Sequence, residues 1–479
     1  MLGMFAAIAY YTWVMKNKQY IRQLNRRFFD ADKVDFGNLL FDRHALFTLL
    51  LPVVIEQLLS AFMGTADSMM VARAGSAAIS AVSLTDSINV LFIQLFAALA
   101  AGGTIICSHF IGQGDIGKTN RAAQQILLTI TVLSCAAGAL CFAFNEPLLR
   151  LIFGSVDEEV MRDAVTYFSF TTVSFPFFAL FQAGGAFYRA CGNSRFPMLI
   201  SVSTNVMNIV GNAVFIFGFG WGVAGAALST LLSRIIGMIW IMAALRRGSQ
   251  EIVIRHYLIR PDPYLIKRVL AIGIPSGLEN SMFQFGKLVI QSSVSTLGTT
   301  AIAANAMASL LESLSGVVGI GIGIGMMTIV GQCLGAGRTE EAKYYIVKLT
   351  EISEVCVTLC SLLLLALTPG INWLAGLEPA AAKLCFDMVI YIMICKPFFW
   401  SLSFVTSYGL RAAGDVKFCM ISSMITMWTF RVTLTIILIR VFGFGPIAVW
   451  IGMSTDWAIR GVIYTKRFLS GRWLNHEVT

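Results

Sequence analysis

The stretch PVVIEQLLSAFMGTADSMMV, residues 52–71, is apolar and long enough to cross a bilayer, yet it contains one proline and two acids. A transmembrane helix needs about 20 predominantly apolar residues, and a carboxylate at its centre costs about 2.5–3.5 kcal/mol on insertion scales. Glu56 and Asp67 are eleven residues apart, which is about three helical turns, so both face one side of the helix. Acids at membrane depth usually face a bundle interior or a wet cavity, and they indicate function.

The composition extends this pattern to most of the chain. Of the 479 residues, 57% are hydrophobic and 13% are charged, whereas a soluble domain has about 25% charged residues. Continuous apolar runs predict membrane-spanning helices rather than barrel strands. We therefore expect an all-α polytopic membrane protein with twelve transmembrane helices. The twelve runs begin near residues 45, 82, 123, 163, 197, 222, 267, 301, 349, 385, 416 and 446.

The net charge of +9 reflects the orientation of the loops across the membrane and does not indicate a nucleic-acid partner. When the loops are assigned alternately to two sides of the bilayer, one side holds 25 of the 35 Lys and Arg residues. The positive-inside rule makes that side cytoplasmic, with both termini inside. We expect a monomer in the inner (plasma) membrane, in contact with the lipid bilayer. Residues 2–15 are too short to span comfortably, and they predict a frayed or interfacial helix.

The chain repeats itself. Residues 52–114 align with residues 275–337 at a constant offset of 223 positions and without a gap. A second block, YRACGN (188–193), matches LRAAGD (410–415). Six spans per half give both halves the same orientation, as in transporters that rock two lobes about a central cavity. The identical pairs include Pro52 with Pro275, Glu56 with Glu279, Gly75 with Gly298, and Gly112 with Gly335.

The repeat predicts two homologous six-helix lobes, in parallel arrangement around a central cavity. The predicted organisation is a basic cytoplasmic segment at 1–44, an N-lobe at 45–247, a cytoplasmic linker at 248–264, a C-lobe at 265–470 and a cytoplasmic tail at 471–479.

The order and spacing of the motifs resemble the multidrug and toxic compound extrusion (MATE) family of bacterial transporters. The resemblance covers nearly the whole chain. It implies efflux of small, amphipathic, mostly cationic compounds, coupled as antiport to inward flow of H⁺ or Na⁺. The motifs are TADSMMVARAG (65–75), AAISAVSL (77–84), HFIGQGD (109–115), YRACGNSRFP (188–197), GWGVAGAALST (220–230) and their second-half counterparts.

The resemblance places the family's first-helix aspartate at Asp67, the predicted cation-coupling residue; an interfacial residue or a helix-end cap is the alternative role, since the span ends nearby. Asn205, Asn208 and Asn212 form one polar stripe on the fifth span. Carboxylate and amide oxygens suit a hard monovalent cation, so Na⁺ at Asp67 is one option and protonation is the other; interhelical packing is the alternative role of the amides. Asn212 stands where some family members have a second carboxylate, which leaves fewer charges to hold Na⁺. Thr230 on the sixth span is expected to complete the cluster.

In the second half, Glu279 is a further candidate for cation coupling. Lys287, eight residues later, is expected to pair across helices with Glu312. By the repeat, Asp86 and Asn89 correspond to Ser309 and Glu312, a polar patch that either lines the cavity or locks helices together. We expect Arg431 in the eleventh span to neutralise an acid. The predicted substrate-cavity residues are Glu56, Asp86, Asn205, Thr230, Lys287 and Glu312; for Glu56 a structural hydrogen bond is the alternative.

Other functions fit the sequence less well. The four histidines, His44, His109, His256 and His476, are far apart, so we expect no enzyme activity, no resident metal and no cofactor. The glycine run SGVVGIGIGIGMM (315–327) predicts close helix approach, or a bending helix. A flippase for a lipid-linked glycan is the main alternative, and a channel is a weaker one.

Overall fold

The structure, a computed structural model, describes residues 28–73, 75–154, 156–248, 251–255, 259–476 and 478. Every regular element in this part of the chain is a helix. The predicted interfacial helix at residues 2–15 lies outside the described residues.

The first half begins with three long helices and ends with a helix that precedes the linker. A π-helical segment, Ala213–Gly218, directly continues α7. The elements are α1 (Arg43–Ala72), α2 (Ser76–Gly112), α3 (Ile116–Ala143), α4 (Asn145–Phe153), α5 (Glu158–Val173), α6 (Phe175–Ala190), α7 (Arg195–Asn212) and α8 (Gly222–Arg247).

The second half repeats this order, and its first four helices have 33, 37, 36 and 34 residues. A π-helical segment, Met427–Thr433, joins α13 to α14. The elements are α9 (Pro263–Ser295), α10 (Thr299–Gly335), α11 (Thr339–Leu374), α12 (Pro379–Ala412), α13 (Val416–Thr426), α14 (Leu434–Arg440) and α15 (Ile447–Leu469).

The described residues contain nine elements that are each long and apolar enough to cross a membrane. The helices α5 and α6 meet at a bend of 43° and together form a tenth such element. The helices α9 and α15 are also long, at 33 and 23 residues, but each contains four charged residues. Counting them gives six spans in each half, with α7 and its π segment as one span, and α13, its π segment and α14 as another. The predicted all-α, twelve-helix organisation is confirmed.

Contacts divide the chain into two compact units. The N-terminal unit is His44–Ser281, and the C-terminal unit is Met282–Val478 together with the described residues before His44. The boundary between these units falls inside α9. The lobe boundaries inferred from the repeat stay a prediction.

Matching glycines begin the second helix of each half. Gly75 precedes α2 with φ of 123°, and Gly298 precedes α10 with φ of 92°. Both angles lie in a region that residues with a Cβ rarely adopt. The repeat therefore keeps glycine at this position for a backbone reason.

A different cap begins α3, where the Asp115 carboxylate accepts the Lys118 N–H at 2.9 Å. This bond holds the pKa of Asp115 below its usual range.

The glycine run of α10 lets α12 approach closely. A Cβ at Gly316 would lie 3.0 Å from the Trp400 ring, and one at Gly319 would overlap that ring. A Cβ at Gly323 would overlap Tyr408. The run therefore accommodates large aromatic side chains of α12, as the prediction of close helix approach expected.

The segment before α1 packs on the N-terminal end of α11. Glu341, in the first turn of α11, accepts the Leu40 N–H at 2.6 Å. The Tyr345 hydroxyl donates to the Phe41 carbonyl at 2.6 Å and accepts the Phe41 N–H at 3.2 Å. Acidic side chains at a helix N-terminus are favourable in themselves, so these contacts add to a stable helix end.

Polar side chains of α3 hold the linker between the halves. Asn120 accepts the Val253 N–H at 2.7 Å. Gln125 donates to the Arg260 carbonyl at 2.8 Å and accepts the Asp262 N–H at 3.0 Å. The described part of the linker is therefore attached to the N-terminal unit by paired amide contacts.

Candidate functional site

Asp67, near the C-terminal end of α1, is joined to α7 by a hydrogen bond. Asn212 Nδ2 donates to Asp67 Oδ1 at 2.9 Å. Asn212 is 2% exposed and is the last residue of α7 before the π segment Ala213–Gly218. Single-turn π segments occur frequently at functional sites. The predicted proximity of Asp67 and this amide is present in the structure.

Asn208, one turn before Asn212, contacts the same carboxylate. When the side-chain amide of Asn208 is oriented so that both its oxygen and its nitrogen have hydrogen-bond partners, Nδ2 donates to Asp67 Oδ1 at 2.8 Å and to Oδ2 at 3.1 Å. Its Oδ1 then accepts from the hydroxyl and the backbone N–H of Thr230, each at 3.2 Å. Asp67 thus receives donors from two amides, and Thr230 connects α8 to the group as predicted. We call Asp67, Asn208, Asn212 and Thr230 the carboxylate–amide cluster.

A glycine that the sequence analysis did not single out supports this cluster. A Cβ at Gly211 would overlap the Ser229 side chain, so α7 and α8 approach closely there. Ser229 Oγ donates to the Asn208 carbonyl at 2.8 Å. By contrast, Asn205 is half-buried and makes no hydrogen bond to Asp67 within the described residues.

A second carboxylate, Asp86 of α2, lies close enough to Asp67 for their charges to interact. Asp86 is exposed, and its Oδ1 accepts from Asn89 at 3.3 Å. The Tyr167 hydroxyl also hydrogen bonds to the Asp86 carboxylate, and the Arg234 guanidinium supplies a nearby opposite charge. The carboxylate–amide cluster and an accessible acid therefore lie together in the N-terminal unit.

Arg234 itself was not predicted as a site residue. Its Nη1 donates to Ser174 Oγ at 2.6 Å, and its guanidinium lies 5.0 Å from the centre of the Phe178 ring. The available signal was a cation within an apolar span.

Glu56 is 9% exposed and faces Arg189 of α6, with Oε2 at 3.7 Å from Nη1. Gly185 leaves room for this guanidinium, because a Cβ there would lie 3.2 Å from Arg189 Nη1. The ion pair joins α1 to α6, which favours the structural alternative for Glu56. Its repeat counterpart Glu279, in α9, is 3% exposed.

In the C-terminal unit, Glu312 is bound by a lysine that the sequence analysis did not assign. Lys396 Nζ donates to Glu312 Oε1 at 2.7 Å, to the Glu312 carbonyl at 2.6 Å and to Ser315 Oγ at 2.7 Å. Lys396 is 0% exposed and lies 5.0 Å from the centre of the Trp400 ring. A fully buried ammonium requires a partner, and Glu312 provides it.

The predicted pair of Lys287 with Glu312 is therefore corrected. Lys287 is exposed and forms no ion pair with any described residue, although its charge still interacts with Glu312 over a longer distance. The buried Lys396 takes the position beside Glu312 that the sequence analysis gave to Lys287.

A buried group of one acid and two arginines lies in the same unit. Asp456 Oδ2 is 3.2 Å from Arg460 Nη2 and 3.6 Å from Arg431 Nε. All three side chains are at most 4% exposed. Arg431 has the acidic partner expected for it, but the sequence analysis assigned no role to Asp456 or Arg460.

Across the described residues, no group of three or more His, Cys, Asp or Glu side chains is arranged to hold a metal ion. Asp67 instead contacts amides, and Glu312 and Asp456 contact basic side chains.

Comparison with known proteins decides the family. The family model described as MatE matches residues 52–214 and again residues 275–437. The chain belongs to the MatE family. The two matches begin 223 residues apart, as the internal repeat does. MatE proteins are transporters, so this chain is a multi-pass membrane transporter of small molecules and not an enzyme.

Curated MatE relatives span nearly the full chain. The uncharacterized transporter YisQ of Bacillus subtilis (strain 168) is 27% identical over 444 residues, which are 90% of this chain and 95% of the relative. The probable multidrug resistance protein NorM of Thermotoga maritima is 26% identical over 442 residues, covering 91% of this chain and 94% of that protein.

A solved structure confirms the MatE fold. A multidrug resistance MATE family transporter of the MOP superfamily, in an outward-facing conformation, superposes with a TM-score of 0.83 at 20% identity. The match covers 89% of this chain and 96% of that chain.

Proposed function

We propose that the protein is a secondary antiporter that exports small, amphipathic, mostly cationic compounds in exchange for inward flow of H⁺ or Na⁺. The observation that carries this proposal is the carboxylate–amide cluster, in which Asp67 of α1 receives N–H donors from Asn212 and Asn208 of α7. A carboxylate held inside an apolar span is costly, and it is usually kept for function.

The coupling would act through the charge on Asp67. Hydrogen bonds to an ionised carboxylate are roughly twice as strong as those between neutral groups. Protonation of Asp67, or Na⁺ binding beside it, would therefore weaken its bonds to Asn212 and Asn208. A cation that binds one packing of α1 against α7 more tightly than another shifts the equilibrium between the two conformations. The size of the shift is set by the difference between its affinities for them.

The cluster offers an acceptor to either coupling ion. Asn212 Oδ1 is buried and has no hydrogen-bond partner within the described residues. This oxygen can accept a hydrogen bond from a protonated carboxyl group, or it can serve as an oxygen ligand of Na⁺. Glu279 is proposed as a second coupling candidate because it is buried at the repeat position of Glu56.

The accessible Asp86 is the favoured contact for a cationic substrate. It is exposed, whereas its neighbour Asn89 is 3% exposed, and its charge interacts with that of Asp67. Asn205 and Thr230 are proposed to line the same region. Glu56 and Glu312 are proposed to act mainly through their pairs with Arg189 and Lys396.

We also propose that the transporter acts as a monomer in the plasma membrane, with both termini in the cytoplasm. The predominance of Lys and Arg in the loops on one side supports this orientation. A cysteine introduced at either terminus, and treated in right-side-out vesicles with a membrane-impermeant thiol reagent, tests this orientation. Labelling before permeabilisation would contradict the proposal.

Transport by the purified full chain in proteoliposomes tests the function. An imposed H⁺ gradient and, separately, an imposed Na⁺ gradient are applied, and movement of a fluorescent cationic dye against its own gradient is measured. We expect uphill dye movement with one of the two gradients. Dye movement that only dissipates its gradient would support a channel, and selective movement of lipid-linked sugars would support a flippase.

A further inference from the structure

Helix α11 contains an acid that none of the sites described above includes. Between Ile352 and Trp373 of this helix, Glu354 is the one charged residue. It lies one turn after Glu351, which is exposed and forms an ion pair with Lys348 at 3.4 Å. Glu354 therefore lies inside the apolar part of the span, next to its more polar end. An ionisable residue in such a position is a candidate for function.

The carboxyl group of Glu354 contacts a pair of buried serines. Glu354 is half-buried, and its Oε1 is buried without a hydrogen-bond partner among the described residues. The Ser401 hydroxyl of α12 hydrogen bonds to the carboxyl group, and the hydroxyls of Ser401 and Ser353 are 3.3 Å apart. A Cβ at Gly319 of α10 would lie 2.9 Å from Ser353 Oγ. Three helices of the C-terminal unit therefore enclose the two serines beside Glu354.

Glu354 has no counter-charge in the part of the chain that the structure describes, because no Lys, Arg or His side chain forms an ion pair with it. The charged side chains that α10 and α12 supply in this part of the unit, Glu312 and Lys396, bind each other at 2.7 Å. On α11 itself, Glu351 pairs with Lys348. Proton binding at Glu354 therefore leaves no cation without its partner.

Three other acids of the spans differ from Glu354 in this respect. Glu56, Glu312 and Asp456 each contact a basic side chain. A proton on any of them would leave a buried or partly buried cation unpaired, which is costly. The Ser401 hydroxyl, by contrast, can donate to an ionised carboxylate and can accept from a protonated carboxyl group. The surroundings of Glu354 therefore suit both protonation states.

The internal repeat sets Glu354 apart from the first half. At the constant offset of 223 positions, Thr131 of α3 takes its place. The Thr131 hydroxyl donates within its own helix, to the Leu127 carbonyl at 2.7 Å. Asp67 likewise has an uncharged counterpart, Ile290. Each half therefore has an acid in its spans that the other half lacks.

We propose that Glu354 is a proton-binding site of the C-terminal unit and that it takes up and releases one proton in each transport cycle. Asp67 and Glu354 then each carry a proton, so two protons enter for each compound that is exported. This inference rests on the proposed export in its H⁺-coupled form, and it adds a second proton site to Asp67.

Labelling with dicyclohexylcarbodiimide tests the proton site without transport. This apolar reagent adds to protonated carboxyl groups, and peptide mass spectrometry locates the product. In the purified full chain in detergent, Glu354 should be labelled at least about tenfold faster than the exposed Glu351, one turn away. Labelling should slow as the pH rises and the carboxyl group loses its proton. Labelling of Glu354 that is no faster than that of Glu351 would overturn the proposal.

The steady-state gradient of a dye counts the coupled protons. Proteoliposomes are given an H⁺ gradient of one pH unit with the membrane potential clamped at zero, and the concentration ratio of the cationic dye rhodamine 6G is measured. Each coupled proton multiplies this ratio by about ten. We expect a ratio of about one hundred for the unmodified chain and of about ten for Glu354→Gln.

Two further variants complete the test. Glu354→Asp retains an ionisable group and should keep the higher ratio, and Glu351→Gln, on the same helix, should behave like the unmodified chain. Size-exclusion chromatography confirms that each variant is folded. Equal ratios for the unmodified chain and Glu354→Gln would overturn the coupling role. A chain that moves no dye would contradict the proposed function and the coupling role with it, while the labelling experiment would still decide whether Glu354 binds a proton.

Discussion

Asn212 donates a hydrogen bond of 2.9 Å to Asp67 and joins two helices whose contacting residues are 145 positions apart in the chain. One partner is ionisable and the other is not. The strength of the contact therefore depends on the charge of Asp67, and any cation that neutralises this carboxylate alters the packing of α1 against α7.

Replacing Asn212 with leucine should impair coupling. The variant Asn212→Leu removes a donor from a carboxylate inside the membrane, and the loss of a hydrogen bond to a charged group corresponds to roughly tenfold or more in equilibrium. We expect gradient-driven dye efflux from proteoliposomes to fall by about this factor. Ser203→Ala, on the same helix, is the control and should transport normally; an unimpaired Asn212→Leu protein would remove the amide from the coupling site.

The pair of Lys396 with Glu312 should dominate local stability in the C-terminal unit. Lys396→Met leaves the Glu312 carboxylate without its partner, and breaking a buried pair in this way costs about 3–5 kcal/mol. Thermal unfolding in detergent should show a lowered midpoint. The double variant with Glu312→Gln should recover much of the loss, because both charges are then absent. Additive losses in the double variant would mean that the two residues do not interact.

The glycine run should tolerate no side chain where α12 approaches. Gly319→Ala places a Cβ on the Trp400 ring, and overpacking of this kind costs about 1–3 kcal/mol. Gly370→Ala is the matched control, because nothing lies within 4 Å of a Cβ at that helical glycine. Thermal unfolding midpoints of the two variants should differ clearly, with only Gly319→Ala lowered.

Removal of one hydroxyl should loosen the segment before α1. Tyr345→Phe loses both hydrogen bonds to Phe41, which corresponds to about 1–2 kcal/mol of docking free energy. Limited trypsin digestion should cleave faster at Arg43. Tyr344→Phe, at the neighbouring position, keeps its ring contact with Phe29 and should be cleaved at the unmodified rate.

Much of the fold follows from the sequence because the backbone N–H and C=O groups of each span form hydrogen bonds within that span. Apolar runs of sufficient length predict helices in a bilayer, and the internal match of Pro52 with Pro275 and of Gly75 with Gly298 predicts two related halves. The π segments after Asn212 and around Arg431 could not be predicted, because their register depends on packing against neighbouring helices.

The site was predictable where periodicity limited the choices. Asn208 and Asn212 lie four residues apart on one helix face, so a single neighbouring acid contacts both. The partner of Glu312 was not predictable in this way, because Lys287 and Lys396 both lie in apolar spans and only the folded arrangement shows which one is buried. For Asp456 the case is mixed: Arg460 follows it by four residues on α15, a spacing that the sequence shows, whereas its contact with Arg431 depends on the close approach of α15 to the π segment Met427–Thr433.

Gradient-driven transport by Asp67→Asn tests the central claim most directly. Asparagine keeps the size of the side chain but cannot be protonated and has no charge to bind Na⁺. The variant is reconstituted beside Asp67→Glu and the exposed control Asp157→Asn, and both uphill dye movement and passive dye exchange are measured under an imposed H⁺ or Na⁺ gradient. We predict that Asp67→Asn loses uphill movement while retaining exchange, and that Asp157→Asn behaves like the unmodified protein. Full uphill transport by Asp67→Asn would contradict the assignment of Asp67 as the coupling carboxylate.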